Sequence, residues 1–319
     1  MNATRRYFRI RLSAAEIVLV AALALAIIVM SRLSPQFLTV NNFFEVTRFV
    51  TEIGLISLGM SVVILTGGID LSVGSIVGLS AIVLGASFHA GVNVWLAALL
   101  GVLAGALCGF VNGLIITRAN IPPLIVTLAT LAIYRGLALG ISQARNYRDY
   151  PDVFYKLGQG YVGPVPVQFI VFVVFMLVFV LLLGRTVFGR AVYALGNNET
   201  ATRFSGIHVD RLKLIIYTLS GFLSGVAGIV LVSRLSTAKP DLGLGYELDA
   251  ITAVVLGGTA IAGGSGGIWG TLLGLFIVGI VRNGLSLAFI KADVQLVFIG
   301  LVLIAAVVFN QVTRRPARR

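Results

Sequence analysis

The chain has 319 residues, of which 58% are hydrophobic and only 11% charged, with a mean hydropathy of +1.02. Such values read as a polytopic membrane protein and leave no length for a separate soluble domain. The formal charge of +12 would raise nucleic-acid binding in a soluble chain, but here the arginines stand between apolar runs as topology signals, so no nucleic-acid partner is expected.

The basic segment Met1 to Arg11 leads into an apolar run that contains Glu16 and is followed by no small-residue cleavage site. A retained first span is therefore expected, not a cleaved signal peptide. Ten apolar runs follow one another at 14–30, 51–66, 71–88, 94–117, 122–142, 167–184, 212–233, 248–262, 268–290 and 294–312. In hydrocarbon the backbone must satisfy itself, and runs this long and uniformly apolar do so as helices of about 20 residues per crossing. The fold class expected is all-α: a single transmembrane bundle of about ten helices over 1–319, with both termini on one side. With the N-terminus cytoplasmic, Arg5, Arg6, Arg9, Arg11, Arg118, Arg185, Arg190, Arg203, Arg211, Lys213, Arg314, Arg315, Arg318 and Arg319 fall inside, 14 of the 24 basic residues. Most acids, including Asp249, are then placed in outer loops, which fits the positive-inside bias. Arg135 and Arg282 fall toward the outer ends of their runs, where snorkelling to the interface is the default reading.

Two places along the chain look broken. The stretch Ile64 to Ser75, through Gly67, Gly68, Asp70 and Ser72, joins two runs with no real loop. The stretch Val254 to Gly267, with Gly257, Gly258 and Thr259, does the same around the eighth run. Glycine-interrupted segments, one in each half of a chain, point to a transport pathway built from internal repeats. Asp70 is read first as an N-cap for the run from Leu71, with a proton or cation site as the rival. Gly101, Gly105, Gly109 and Gly113 recur every four residues and make one helix stripe, for which close packing is the default reading. Asn112, beside the last of them, is an amide at depth that needs a partner or water. The single cysteine, Cys108, excludes an intrachain disulfide and a thiolate metal cluster.

Several chemistries have no residues to carry them. None of the four lysines, Lys156, Lys213, Lys239 and Lys291, stands in a G-x-x-x-x-G-K-[ST] loop, so the chain does not bind ATP through one. Gly264-Ser265-Gly266 lacks a third glycine at Trp269, which excludes a dinucleotide loop; no cofactor is expected. His89 and His208 are isolated, so neither a metal site nor metal catalysis is supported. The longest inner connection, 185–211, is the polar exception in the chain, and Glu199, Thr202, Arg203 and Phe204 can share a helix of about three turns ended by Gly206.

Three stretches resemble one family. Ala194 to Ile207, containing Gly196, Asn197, Asn198, Glu199, Ala201, Thr202, Arg203, Ser205 and Gly206, is similar to the coupling segment of the ribose-type permease subunits of bacterial ABC importers. Ile64 to Ser75, and Gly245 to Ile251 running into Val254 to Thr259, match further signatures of that family in the same order. The resemblance implies a non-enzymatic inner-membrane permease that moves a monosaccharide into the cytoplasm. It further implies a cytoplasmic ATP-binding subunit docked on Gly196 to Gly206, a periplasmic substrate-binding protein, a second permease copy or paralogue, and membrane lipid around the bundle. The sugar pathway would draw on Gly67, Gly68, Asp70, Ser72, Asn112, Gly257, Gly258, Thr259 and Asn283. Arg282 departs from the family pattern, in which an uncharged polar residue is more usual, and is free to tune the substrate or the outer gate. Tyr147, Tyr150, Asp152, Lys239, Asp241 and Glu247 in the outer loops are read either as aromatic-belt and solvated residues or as the docking face for the binding protein. An ion-coupled secondary carrier and a transport-free scaffold are the alternatives from other classes.

Overall fold

Helices form where lipid-compatible runs leave the backbone no other partner, and the computed structural model, which describes residues 14–313, is built almost wholly from them. In chain order they are α1 (Ala14–Leu33), α2 (Val40–Leu65), α3 (Val73–His89), α4 (Val94–Arg118), α5 (Pro123–Ser142), α6 (Asp152–Gln159), α7 (Val167–Arg185), α8 (Val187–Asn197), α9 (Glu199–Phe204), α10 (Val209–Leu235), α11 (Tyr246–Leu256), α12 (Ile268–Leu287) and α13 (Ala292–Thr313). One two-stranded hairpin, β1 (Tyr161–Val162) with β2 (Val165–Pro166), interrupts the all-helical pattern between α6 and α7. Six of these helices are long and apolar enough to cross a membrane, and Ile17–Leu33, Val73–His89 and Val294–Val308 are shorter apolar ones. The arginines at 5, 6, 9, 11, 314, 315, 318 and 319 lie outside the described residues.

Every expected run overlaps a helix, but two differ in ways that matter. The second run begins at 51, yet α2 starts at Val40, because Thr39 Oγ1 accepts the Asn42 N–H (3.3 Å) and begins the helix inside a polar segment. The eighth run extends to 262, yet α11 stops at Leu256, after 11 residues. At 1.5 Å per residue that is about 16 Å, half of a bilayer core. Gly257 and Gly258 end it, the latter at φ +87°, a left-handed conformation that glycine adopts without steric cost.

The two long helices α2 and α10 form the centre. In its most apolar stretch α2 is 89% buried, whereas that of α7 is only 22% buried, so α2 is enclosed and α7 is peripheral. The glycine stripe of α4 does pack: a Cβ at Gly105 would stand 2.7 Å from Gly221 O and 2.9 Å from Gly225 Cα, and one at Gly109 3.0 Å from Gly221 Cα. The backbones of α4 and α10 thus cross at small-residue distance, as helices in lipid do when apolar burial gives them no preference for one another.

Candidate functional site: the junction of the polar segment with the broken helices

Glu199, Thr202, Arg203 and Phe204 do share one helix, but the polar segment as a whole is not one helix of three turns. It is α8, then Asn198 in an extended conformation (φ −161°), then the six-residue α9. The reason is local: Asn198 Oδ1 accepts the Ala201 N–H at 2.9 Å and caps α9, while its own N–H closes on Ala194 O at 3.1 Å to finish α8. Thr202 turns inward, buried, with its hydroxyl on Asn198 O (2.8 Å), and Ser205 Oγ closes on Ala201 O (2.8 Å). Gly206 ends the unit at φ +85°, as expected of a helix stop. Outward, Phe204 is 88% exposed, and a cavity of about 560 Å³ lined by Arg118, Arg203, His208, Asp210 and Arg211 opens beside it. Glu199 is held by Lys213 (2.7 Å) and Arg203 (3.4 Å), and Arg203 by Asp210 (2.8 Å). The hydrogen bonds that it donates to Asp210 raise the Arg203 guanidinium above its already high value, so it stays charged.

Inward, the same segment is joined to both glycine breaks. Gly196 lies against Leu65 O and Gly264 N, the two atoms that bond each other at 2.9 Å. Asn197 Nδ2 donates to Tyr193 O (2.8 Å) and to Gly264 O (3.3 Å), and Tyr193 OH donates to Gly266 O (3.0 Å). A Cβ at Gly263 would meet Gly67 N (2.8 Å), Leu65 O (3.0 Å) and Gly196 O (3.1 Å) together. The end of α2, the end of α8 and the loop after α11 therefore meet backbone on backbone. Only glycine fits at 196, 263 and 264, since any side chain would separate the strands of this knot.

Beyond the knot, Gly67 takes φ +77° and the chain re-enters the bundle. Asp70 is wholly buried; its Oδ1 accepts from Ser72 N (3.0 Å) and Ser72 Oγ (2.6 Å), and its Oδ2 from Ser220 Oγ (3.0 Å). The N-cap expected at Asp70 is displaced: α3 begins at Val73 and Ser72 is its cap residue, while Asp70 ties the preceding turn. Asn112, also wholly buried, donates to Ser72 Oγ (2.8 Å) and accepts from Tyr134 OH (2.9 Å), so its partners are side chains of α5 and of the break before α3. Asp70, Ser72 and Asn112 are thus one network. Gly257 packs on Gly270 across the α11–α12 contact, and Thr259 is wholly buried with its N–H on Val254 O (3.2 Å). Asn283 stands elsewhere, in a reciprocal amide pair with Asn42 (2.9 and 2.8 Å) that fastens α12 to α2. The pathway candidates accordingly fall into three places and not one.

Three charged positions, Arg135, Arg282 and Asp249, depart from their reading in the sequence. Arg135 does not snorkel: its Nη1 donates to Pro240 O (2.5 Å) and Leu242 O (2.9 Å) and its Nη2 to Gly74 O (3.1 Å), clamping the loop before α11 onto the first turn of α3. Asp249 is not a loop residue but a wholly buried residue of α11, paired at 2.8 Å with Arg282, which therefore does not snorkel either. Glu52, buried without exposure, takes Arg234 Nε at 2.5 Å and Nη2 at 3.0 Å. The one available signal was an acid and a base at compatible depths in different runs, which a single sequence does not pair. Among the docking candidates, Tyr150 is corrected: it is 4% exposed, stacked with Phe88 (5.1 Å) and Phe154 (5.2 Å), and anchors the loop. Tyr147 is half-buried in a bridge to Ala238 and over His89. Asp152 and Asp241 are exposed, Lys239 is half-buried, and Glu247 turns toward Gly74.

The chain matches, over residues 42–307, the family model described as branched-chain amino acid transport system / permease component. It is 44% identical to the ribose import permease protein RbsC of Bacillus subtilis (strain 168), over 91% of this chain and 90% of that one. It is 40% identical to the protein of the same name from Escherichia coli (strain K12), over 96% of each. It is also 38% identical to the autoinducer 2 import system permease protein LsrD of Escherichia coli O9:H4 (strain HS), over 93% and 92%. No solved structure gives a significant match. With helices of membrane-crossing length around a core of glycine breaks, and a match that covers most of its length, the chain belongs to the family of transport-system permease components and is a transmembrane subunit, not the ATPase.

Proposed function

We propose that this permease imports a monosaccharide of the ribose type, delivered by an extracytoplasmic binding protein and driven by a separate ATPase that docks on α8, α9 and the basic cavity beside Phe204. The observation that carries the coupling part is the backbone knot of Leu65, Gly196 and Gly264. A push on α8 displaces, through that knot, both the end of α2 and the loop after α11, so one contact outside the bundle moves two broken segments inside it. The names of the relatives support a sugar or sugar-like cargo. In this reading both termini and α9 are cytoplasmic in a bacterial inner membrane, nine crossings are made by the six long and three shorter apolar helices and the tenth by the half-length α11 with the loop that continues it, and a second copy or paralogue completes the pathway. The exposed Asp152 and Asp241, with Lys239, remain as the face offered to the binding protein.

The test is reconstitution in vesicles with the cognate ATPase and binding protein. ATP-dependent uptake of D-ribose is expected, with uptake lost and membrane insertion kept when Glu199 is reversed to lysine. Uptake by the permease alone under an ion gradient would overturn the reading in favour of a secondary carrier.

A further inference from the structure

A cavity of about 480 Å³ lies at the end of the bundle remote from Gly196, with Glu45, Phe49, Arg234, Arg282, Asn283 and Ser286 in its wall. Glu45 and Phe49 stand on α2 about 30 and 24 Å along the helix axis from Leu65, taking 1.5 Å per residue. The volume falls within the range of small-molecule sites. Its charges balance. Arg234 is paired with Glu52, Arg282 with Asp249 at 2.8 Å, and Glu45 with Arg48 at 2.7 Å. Glu52 and Asp249 are wholly buried and their arginines, 23% and 15% exposed, line the space in their place, so the cavity wall presents arginine and not these two carboxylates. Arg282 Nε is buried and has no hydrogen-bond partner and its Nη1 is held by Asp249, so the rest of its guanidinium, 5.5 Å from the centre of the Phe49 ring, is the part of the arginine open to a ligand.

From this arrangement we infer that the cavity receives a neutral, polyhydroxylated small molecule, with Arg282 as a specificity-determining donor. A balanced wall gives no surplus attraction for an anion, and burying an anion there would cost desolvation that no free cation offsets. Hydroxyl groups match it better, because each can accept from a guanidinium or amide N–H and donate to a carboxylate or amide oxygen. Phe49 adds an apolar part to the wall for the C–H side of a sugar ring. The inference rests on the import reading and sharpens it: it says where in the permease the sugar sits and why a sugar phosphate does not.

The experiment uses the full chain in detergent with Ser286→Cys in a Cys108→Ser background; Cys108 is the only cysteine. A charged thiol reagent labels position 286 with D-ribose or ribose 5-phosphate as protectant. Ribose should slow labelling and ribose 5-phosphate should not. Adding Arg282→Gln should raise the ribose needed by about ten- to a hundredfold, the loss of a charge-assisted hydrogen bond. Phe49→Leu, which leaves every charge pair intact, should raise it about threefold and guards against misfolding of the charge variant. No protection by ribose, in a protein whose complex imports ribose, overturns the inference. Equal protection by ribose 5-phosphate overturns the charge argument. Absence of ATP-driven ribose uptake by the complex sinks the import reading, whereas the labelling result judges the cavity by itself.

Discussion

Gly196→Ala is the smallest change that tests the knot. Its Cβ would land on Leu65 O and Gly264 N and stand 3.0 Å from the Leu65 carbonyl carbon. Those two atoms are the acceptor and donor of a 2.9 Å bond, so the methyl group fits only if the bond opens. Losing it with both groups enclosed costs about 1–3 kcal/mol, and overpacking adds about 1–3 kcal/mol. Replacing a helical glycine returns about 1 kcal/mol. The remainder, about 1–5 kcal/mol, falls on the geometry of the contact between α8, α2 and the loop after α11, far less on the bundle as a whole. In proteoliposomes with ATPase and binding protein, the expected result is continued ATP hydrolysis with sugar taken up per ATP reduced by about tenfold or more, tenfold being 1.4 kcal/mol. Gly91→Ala, outside the docking segment, is the matched control: it meets no atom within 4 Å but forces φ +90° on an alanine, at about 1–2 kcal/mol. It should lower thermal stability slightly and leave the uptake-to-hydrolysis ratio unchanged. A wild-type ratio in Gly196→Ala would refute transmission through the knot.

Further outcomes follow from the same contacts. Gly105→Leu, in the α4–α10 crossing, should cost several kcal/mol by overpacking and lower the melting temperature in detergent, while Gly136→Ala, which meets nothing within 4 Å, should be neutral or stabilising by about 1 kcal/mol. Asn112→Leu removes one bond from each of the Ser72 and Tyr134 hydroxyls, which keep Asp70 Oδ1 and Cys108 O, and should cost about 1–3 kcal/mol; Tyr134→Phe should cost less in the same thermal assay. Glu52→Ala leaves Arg234 without its buried partner and should cost about 2–4 kcal/mol, discounted because Arg234 keeps some access to solvent; replacing both residues by methionine should recover most of the loss.

The residues near Asp70 illustrate how far pattern reading reaches. Gly67-Gly68 and Gly257-Gly258 are legible as breaks because glycine pairs in apolar runs have few other uses, and the four-residue glycine stripe of α4 is legible as a packing face. Spacing could not say what the breaks touch. The partners of Gly196 are at 65 and 264, and a hydrogen bond between backbone atoms leaves no mark in residue type other than the glycines themselves. Charge was misread for a related reason. Arg135 and Arg282 were sent to the interface because a lone cation in lipid seeks water, but the carbonyls of Pro240, Leu242 and Gly74 and the carboxylate of Asp249 supply polar company inside.

Composition and run length by themselves determined that this protein is a helical bundle in lipid with its polar segment between 185 and 211, because a backbone in hydrocarbon has one economical way to hydrogen-bond and no soluble fold tolerates so much apolar surface. The tertiary structure alone decided that the polar segment is tied to both breaks, that α11 is a half-length helix, and that two buried acids, Glu52 and Asp249, meet arginines across helices. These are contacts between residues up to about two hundred positions apart, and physical proximity at that range depends on how the helices cross, which no local pattern contains.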